Sequence, residues 1–91
     1  MAEYRPAEST RWAVENTGVL LINAASGATR FLGYPQAAIW DLVARGDSRA
    51  RVADKLCAIA GLTREEADAL AAEVASMLCA EGFLEAEAPV G

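Results

Sequence analysis

Residues 19–33 read VLLINAASGATRFLG and predict a β-hairpin. The apolar run 19–22 is too short for a helix, and half of its residues are β-branched, which favours a strand. Residues 23–27, NAASG, have the length and chemistry of a hairpin loop. Residues 28–32 then form the second strand of the pair, and Gly33 ends it.

An earlier strand joins this hairpin. Residues 12–14, WAV, begin it, and the turn-prone residues 16–18, NTG, end it. Three consecutive strands joined by short turns predict an antiparallel β-meander, in which the strand 28–32 lies at one edge.

The apolar spacing then changes to that of helices. Pro35 suits the first turn of a first helix, because its missing N–H costs nothing there, and Gly46 ends that helix. Asp47 and Ser48 are good N-caps for a second helix, which Gly61 stops. The predicted apolar faces comprise Ile39, Trp40, Leu42 and Val43 in the first helix and Val52, Leu56 and Ile59 in the second.

A third and longest helix opens with a capping box. Residues 63–66 read TREE, so that the Thr63 side chain can cap the N3 amide while Glu66 reaches back. Gly82 ends this helix, and we expect Phe83 and Leu84 to fold back onto the core. Its apolar stripe comprises Ala67, Leu70, Ala71, Val74, Met77 and Leu78.

These elements predict an α+β fold: a three-stranded antiparallel β-meander followed by three helices, in a winged helix-turn-helix-like arrangement. A length of 91 residues supports one domain and one core. We assign residues 11–85 to the domain, 1–10 to a flexible N-terminal tail and 86–91 to a C-terminal tail.

Composition restricts the function. The chain is 54% apolar and 23% charged, as is typical of globular domains, and its formal net charge is −5. Negative charge disfavours binding to nucleic acids and anionic membranes. No hydrophobic signal segment precedes Trp12, and no apolar run is long enough to span a bilayer, so we predict a cytoplasmic protein.

The side chains that most enzymes need are missing. The sequence has no histidine, no nucleophile-elbow motif and no phosphate-binding glycine loop, so we predict that it is not an enzyme and carries no cofactor. Cys57 and Cys79 lack further ligands for a zinc site, and we predict two small buried thiols rather than a disulfide.

A winged helix also suggests DNA binding, but the charges oppose it. The third helix would enter the major groove with one basic residue, Arg64, against Glu65, Glu66, Asp68, Glu73 and Glu81. Such a face repels phosphates. A basic cluster around the second helix is diluted by Asp47 and Asp54 and indicates a solvated face; it comprises Arg45, Arg49, Arg51 and Lys55.

The edge strand 28–32 favours peptide binding. It contains no proline, and only Arg30 adds charge, so an extended peptide could pair with its free main-chain groups. The groove between this edge and the third helix would supply side-chain pockets. Because successive residues face opposite sides, one of Phe31 and Leu32 can serve the core while the other faces the groove.

Short segments occur in a fixed order along the chain: VLLI at 19–22, Gly27, RFLG at 30–33, AIWDLV at 38–43, Gly46, ML at 77–78 and EGFL at 81–84. This ordered series resembles the PqqD-like family, also known as the RiPP recognition element, where RiPP denotes ribosomally made, post-translationally modified peptides. The resemblance covers roughly residues 12–85. The chain departs from the family before the tryptophan-containing helix, where it has YPQA at 34–37.

The resemblance implies a peptide chaperone. Members bind the leader segment of a precursor peptide as a strand between the third strand and the third helix. They present it to a modifying enzyme such as a radical SAM maturase, a cyclodehydratase or a lasso-peptide protease, and some form homodimers. The contacts carried over are Thr29, Arg30, Phe31 and Leu32 on the strand, with Arg64, Ala67, Asp68, Ala71, Val74, Ala75 and Leu78 on the helix.

One alternative comes from a different class of function. An acidic winged-helix domain could also serve as an adaptor that docks on another protein or dimerises. An apolar face left exposed after core packing would favour that interpretation.

Overall fold

A computed structural model describes residues 3–86, which form five strands and three helices. In chain order these are β1 (Tyr4–Pro6), β2 (Thr10–Glu15), β3 (Gly18–Asn23), β4 (Thr29–Gly33), α1 (Gln36–Ala44), α2 (Arg49–Ala60), α3 (Arg64–Ala80) and β5 (Leu84–Ala86). The predicted fold class is confirmed, because β2, β3 and β4 form an antiparallel meander that precedes the three helices.

The backbone of Gly18, at the start of β3, lies very close to the backbone of β4. A Cβ atom at this position would overlap the carbonyl oxygen of Leu32 and would lie 2.8 Å from the Phe31 ring. Glycine is therefore the residue that lets the turn into β3 pack directly on β4.

Alternation along the strands gives the meander one buried and one exposed face. Leu21 and Leu32 are buried on the face that meets the helices, whereas Phe31 lies on the opposite face. Trp12 pairs with Leu21, and its ring meets that of Trp40 in α1 edge to face, with centroids 5.3 Å apart. This aromatic contact joins β2 to the core.

The two ends of the described chain form a second, two-stranded sheet. β1 and β5 pair antiparallel, with Tyr4 opposite Ala86 and Pro6 opposite Leu84. Just beyond the pair, the Ala7 N–H donates to the Phe83 carbonyl at 3.0 Å.

This sheet corrects the predicted flexible tail at 1–10. Tyr4–Pro6 is a strand because its main-chain groups are paired with β5, and Thr10 already belongs to the meander. Ala86, predicted to begin the C-terminal tail, ends β5. Of the predicted tails, residues 1–2 and 87–91 lie outside the described residues.

The helix boundaries follow the predicted caps. Pro35 precedes α1, and Gly61 ends α2 with a positive φ of 67°. Ser48 caps α2 by accepting the Arg51 N–H at 3.3 Å. In the α3 capping box, the Glu66 N–H donates to Thr63 Oγ1 at 3.2 Å and the Thr63 N–H donates to Glu66 Oε1 at 3.0 Å.

The core lies between the buried face of the meander and the helices. Trp40 is fully buried in this core, and Phe83 and Leu84 are buried in the same cluster, as predicted for the segment after α3. Ile59 was predicted to join this core but is 62% exposed, because it lies in the last turn of α2 beyond the buried part of the helix. Within residues 3–86, every helix is too short or too polar to cross a bilayer.

Candidate peptide-binding site

β4 is an edge strand. β3 pairs with one side of it, and no other strand of residues 3–86 pairs with the second side. The Asn23 N–H donates to the Ala28 carbonyl at 2.8 Å, which sets the hydrogen-bonding phase of the β3–β4 ladder. In an antiparallel pair, every second residue of a strand directs its N–H and C=O groups toward the partner strand. Counting from Ala28, these residues are Arg30 and Leu32. The outward-facing groups belong to Thr29, Phe31 and Gly33.

The side chains of β4 divide between its two faces. Leu32 is 4% exposed and belongs to the core, whereas Phe31 is 49% exposed on the outer face of the sheet. Thr29 is exposed on the same outer face as Phe31. The sequence left open whether Phe31 or Leu32 belongs to the core, and the structure shows that it is Leu32.

Arg30 extends from the buried face of β4 to the C-terminal end of α3. Its Nε donates to Glu81 Oε1 at 2.9 Å, and its Nη2 donates to Glu81 Oε2. The same Nη2 lies 3.2 Å from Met77 Sδ. The hydrogen bonds from the guanidinium to the Glu81 carboxylate raise the pKa of Arg30 above its ordinary value.

Five of the seven helix residues carried over from the family lie in the core. Each is at most 3% exposed, so its side chain packs in the core and is not available on the surface of α3. These residues are Ala67, Ala71, Val74, Ala75 and Leu78.

The other two, Arg64 and Asp68, lie on the flank of α3 that faces α2. Arg64 forms an ion pair with Asp54 of α2, and its Nε is 3.4 Å from an Asp68 carboxylate oxygen. Met77 and Glu81, by contrast, reach Arg30 from the flank that faces β4. The structure therefore does not bring Arg64 and Asp68 to the β4 edge.

Two large apolar side chains of α3 lie outside the set of peptide contacts that the family resemblance implies. Leu70 and Met77 are seven positions apart and so lie on one helix face. Both are half-buried against the core, and Met77 contacts Arg30. The sequence indicates them as the two large apolar residues at one side of the apolar stripe of α3. The contacts that join β4 to the C-terminal end of α3 are consequently those of Arg30 with Met77 and Glu81.

A separate apolar pocket lies on another part of the surface. Its volume is about 360 Å³, and it opens between the β2–β3 hairpin, α1 and the end of α2. Val14, Tyr34 and Ile59 are its most exposed apolar side chains. The remaining lining residues are Val19, Ala37, Ala38, Asp41, Leu42 and Arg45.

The described residues do not assemble a metal site. No group of three or more His, Cys, Asp or Glu side chains within residues 3–86 is placed to hold a metal ion. Cys57 and Cys79 are free and half-buried against the core, and burial raises the pKa of the Cys79 thiol.

Comparison with known proteins gives structural relatives. No protein-family model and no curated protein matches the chain. One solved structure similar to it is a lasso peptide synthetase B1 complexed with the leader peptide. The two are 26% identical with a TM-score of 0.84, and the match covers 92% of this chain and 99% of that one.

A second solved structure matches an equal share of the chain. TbiB1 in complex with the TbiA(β) leader peptide is 20% identical, with a TM-score of 0.86 and coverage of 92% of this chain and 98% of that one. The first structure confirms the resemblance to the PqqD-like family that the sequence shows, and the second supports the fold.

Proposed function

We propose that this chain binds the leader segment of a ribosomally made precursor peptide as an added strand on the free edge of β4, beside α3. The observation that carries the proposal is the unpaired β4 edge, in a fold similar to one solved with a leader peptide bound. Added strands gain affinity from main-chain hydrogen bonds and specificity from alternate side chains.

The edge supplies both kinds of contact. The outward N–H and C=O groups of Thr29, Phe31 and Gly33 are the partners for the peptide main chain. Peptide side chains on the helix side would meet Leu70 and Met77, which we add to the site. We propose that the buried residues of α3 contribute indirectly, because Leu70 and Met77 pack against the core that they form.

The role we propose is binding without catalysis. A domain that holds a precursor beside its enzyme raises the local substrate concentration to roughly the millimolar range when the linker is short. We propose that it acts in the cytoplasm and presents the peptide to a modifying enzyme. A lasso-peptide protease is the leading candidate because of the similarity to lasso peptide synthetase B1. A radical SAM maturase and a cyclodehydratase are further candidates.

Titration of the ¹⁵N-labelled chain tests this proposal. The probes are synthetic peptides encoded by short open reading frames beside the gene. We expect one of them to shift the amide signals of β4 together with those of Leu70 and Met77. We also expect it to slow hydrogen exchange at the Phe31 and Gly33 amides, because an added strand would bond them.

Phe31→Pro sharpens the test. The Phe31 N–H points outward, so proline removes a donor to the peptide while it spares the β3–β4 ladder. We expect binding at least about tenfold weaker, whereas Phe31→Val, which keeps the N–H, should stay within about threefold. Unchanged affinity in a folded Phe31→Pro protein would exclude main-chain pairing at this edge.

The exposed apolar pocket favours a second candidate, a protein-docking adaptor. Val14, Tyr34 and Ile59 present apolar surface around the pocket between the β2–β3 hairpin, α1 and the end of α2, as an adaptor or a homodimer would require. This candidate predicts no binding of any neighbouring peptide. It also predicts micromolar self-association, visible by sedimentation, that Ile59→Glu abolishes. Binding of a neighbouring peptide by a monomer would reject it.

A further inference from the structure

The Arg30 side chain is already occupied by a partner within the chain. Its guanidinium binds both carboxylate oxygens of Glu81, and it also touches Met77. Such a paired geometry fixes orientation more firmly than a single hydrogen bond does. β4 is thereby joined to the far end of α3, the two elements that bound the proposed peptide cleft.

The position of Glu81 explains why this pair should persist. Glu81 is the C-cap residue of α3, and α3 has no basic residue in its last turn. A carboxylate at the negative end of a helix is unfavourable unless a cation lies close to it. Because Arg30 supplies that cation, withdrawing it to bind a carboxylate of the peptide would leave Glu81 uncompensated.

We propose that Arg30 is a positioning residue whose pair with Glu81 acts as a strut, fixing the separation of β4 and α3 so that the cleft is formed before the peptide arrives. This inference rests on the proposed leader binding. The family resemblance implies that Arg30 contacts the leader directly, and the strut gives it a contact within the chain instead. The leader segment beside Arg30 is then read by its main chain and apolar side chains, with no requirement for a carboxylate.

Charge exchange tests the strut. Arg30→Glu and Glu81→Arg each place like charges together, and we expect each to weaken binding of the neighbouring-gene peptide about fivefold. The double variant restores opposite charges and puts the cation at the helix C-terminus, so its affinity should return to within about twofold of the original. Arg5 and Glu85, an exposed pair across β1 and β5, provide the matched control. Their single and double exchanges should leave binding unchanged.

A second readout separates the strut from direct recognition. Each acidic residue of the bound peptide is changed in turn to its amide. A strut predicts that every such change has the same effect on the original chain and on Arg30→Met. One acidic position whose effect disappears in Arg30→Met, or a double exchange that fails to recover affinity, would overturn the inference.

Failure of leader binding itself gives a different result. If no neighbouring peptide binds the original chain, the proposed function is rejected, and the strut is then tested by unfolding alone. Arg30→Glu, Glu81→Arg and their combination should still show a favourable coupling free energy in urea denaturation. Additive effects of the two changes would overturn the strut independently of any peptide.

Discussion

Asp47 joins the turn after α1 to the side chains of α2. Its carboxylate lies 2.7 Å from Lys55 Nζ and 3.8 Å from Arg51 Nε, and its side chain is 16% exposed. The hydrogen bond from Lys55 holds the pKa of Asp47 below its ordinary value, aided by the charges of Arg51 and Arg45. The sequence predicted a helix cap here, yet Ser48 provides the cap and leaves Asp47 free to bind cations.

A pH dependence follows for Asp47→Asn. The folded-state pKa lies below the unfolded value, so the charged Asp47 stabilises the fold above the unfolded pKa. This contribution is lost as the pH falls through the folded pKa. We expect Asp47→Asn to unfold at lower urea than the original chain at about pH 7, with the difference shrinking toward about pH 3. Asp41→Asn, which removes an exposed pair with Arg45, is the control and should change the midpoint less. A pH-independent Asp47→Asn effect would contradict this account.

The sequence predicts the orientation of a side chain where a local pattern sets it. It does not predict contacts with residues that are distant along the chain. Strand alternation requires that Phe31 and Leu32 face opposite ways, but only the packing of β4 shows that Leu32 takes the buried side. Arg30 was identified as the one charge of the edge strand. Its partner Glu81 is 51 residues away, a contact that sequence spacing cannot reveal.

Helix caps are the elements that the sequence predicted best. The reciprocal hydrogen bonds of Thr63 and Glu66 form as their spacing required, and the hydrogen bonds from Thr63 lower the pKa of Glu66. We expect Thr63→Ala to reduce the free energy of unfolding by about 1 kcal/mol, whereas Thr63→Ser retains the hydroxyl and should cost less than half of that. Urea denaturation at neutral pH measures both. Equal losses in the two variants would show that the cap contributes through the threonine methyl group.

The short strands β1 and β5 escaped prediction for a physical reason. Each contains three residues, too few for an alternation pattern, and their pairing spans about the whole described chain. The longer meander strands carry turn signals at both ends and were located from them. On α3, the predicted apolar stripe is buried or half-buried. The helix contacts that the family resemblance implies lie mostly at its buried centre, and we propose that the peptide meets Leu70 and Met77 at its margin.

At the scale of the whole molecule, the segment after α3 holds the two sheets together. The Phe83 carbonyl accepts the Ala7 N–H and the Thr10 hydroxyl, both at 3.0 Å. The Asn23 side-chain amide donates to the Gly82 carbonyl, also at 3.0 Å. β2, β3 and the residue after β1 thus each form a hydrogen bond with the segment that follows Glu81. Glu81 is the α3 member of the proposed strut.

Thr10 is the buried member of this set, and its substitution tests the arrangement. Its side chain is 3% exposed, and valine has nearly the same shape without the hydroxyl. Thr10→Val should therefore lower the free energy of unfolding by about 1 kcal/mol, the net value of one hydrogen bond, because Ala7 still satisfies the Phe83 carbonyl. Thr10→Ser is the complementary control, because it keeps the hydroxyl donor and removes the methyl group.

Hydrogen exchange then locates the effect within the molecule. If the Phe83 carbonyl links the sheets, Thr10→Val should speed exchange at the Ala7 amide and in β5 more than in α2, which is capped by its own residues. Uniformly faster exchange throughout residues 3–86 would instead mean that the chain opens only as a unit. In that case the β1–β5 sheet would be a full part of the cooperative core, despite strands of three residues.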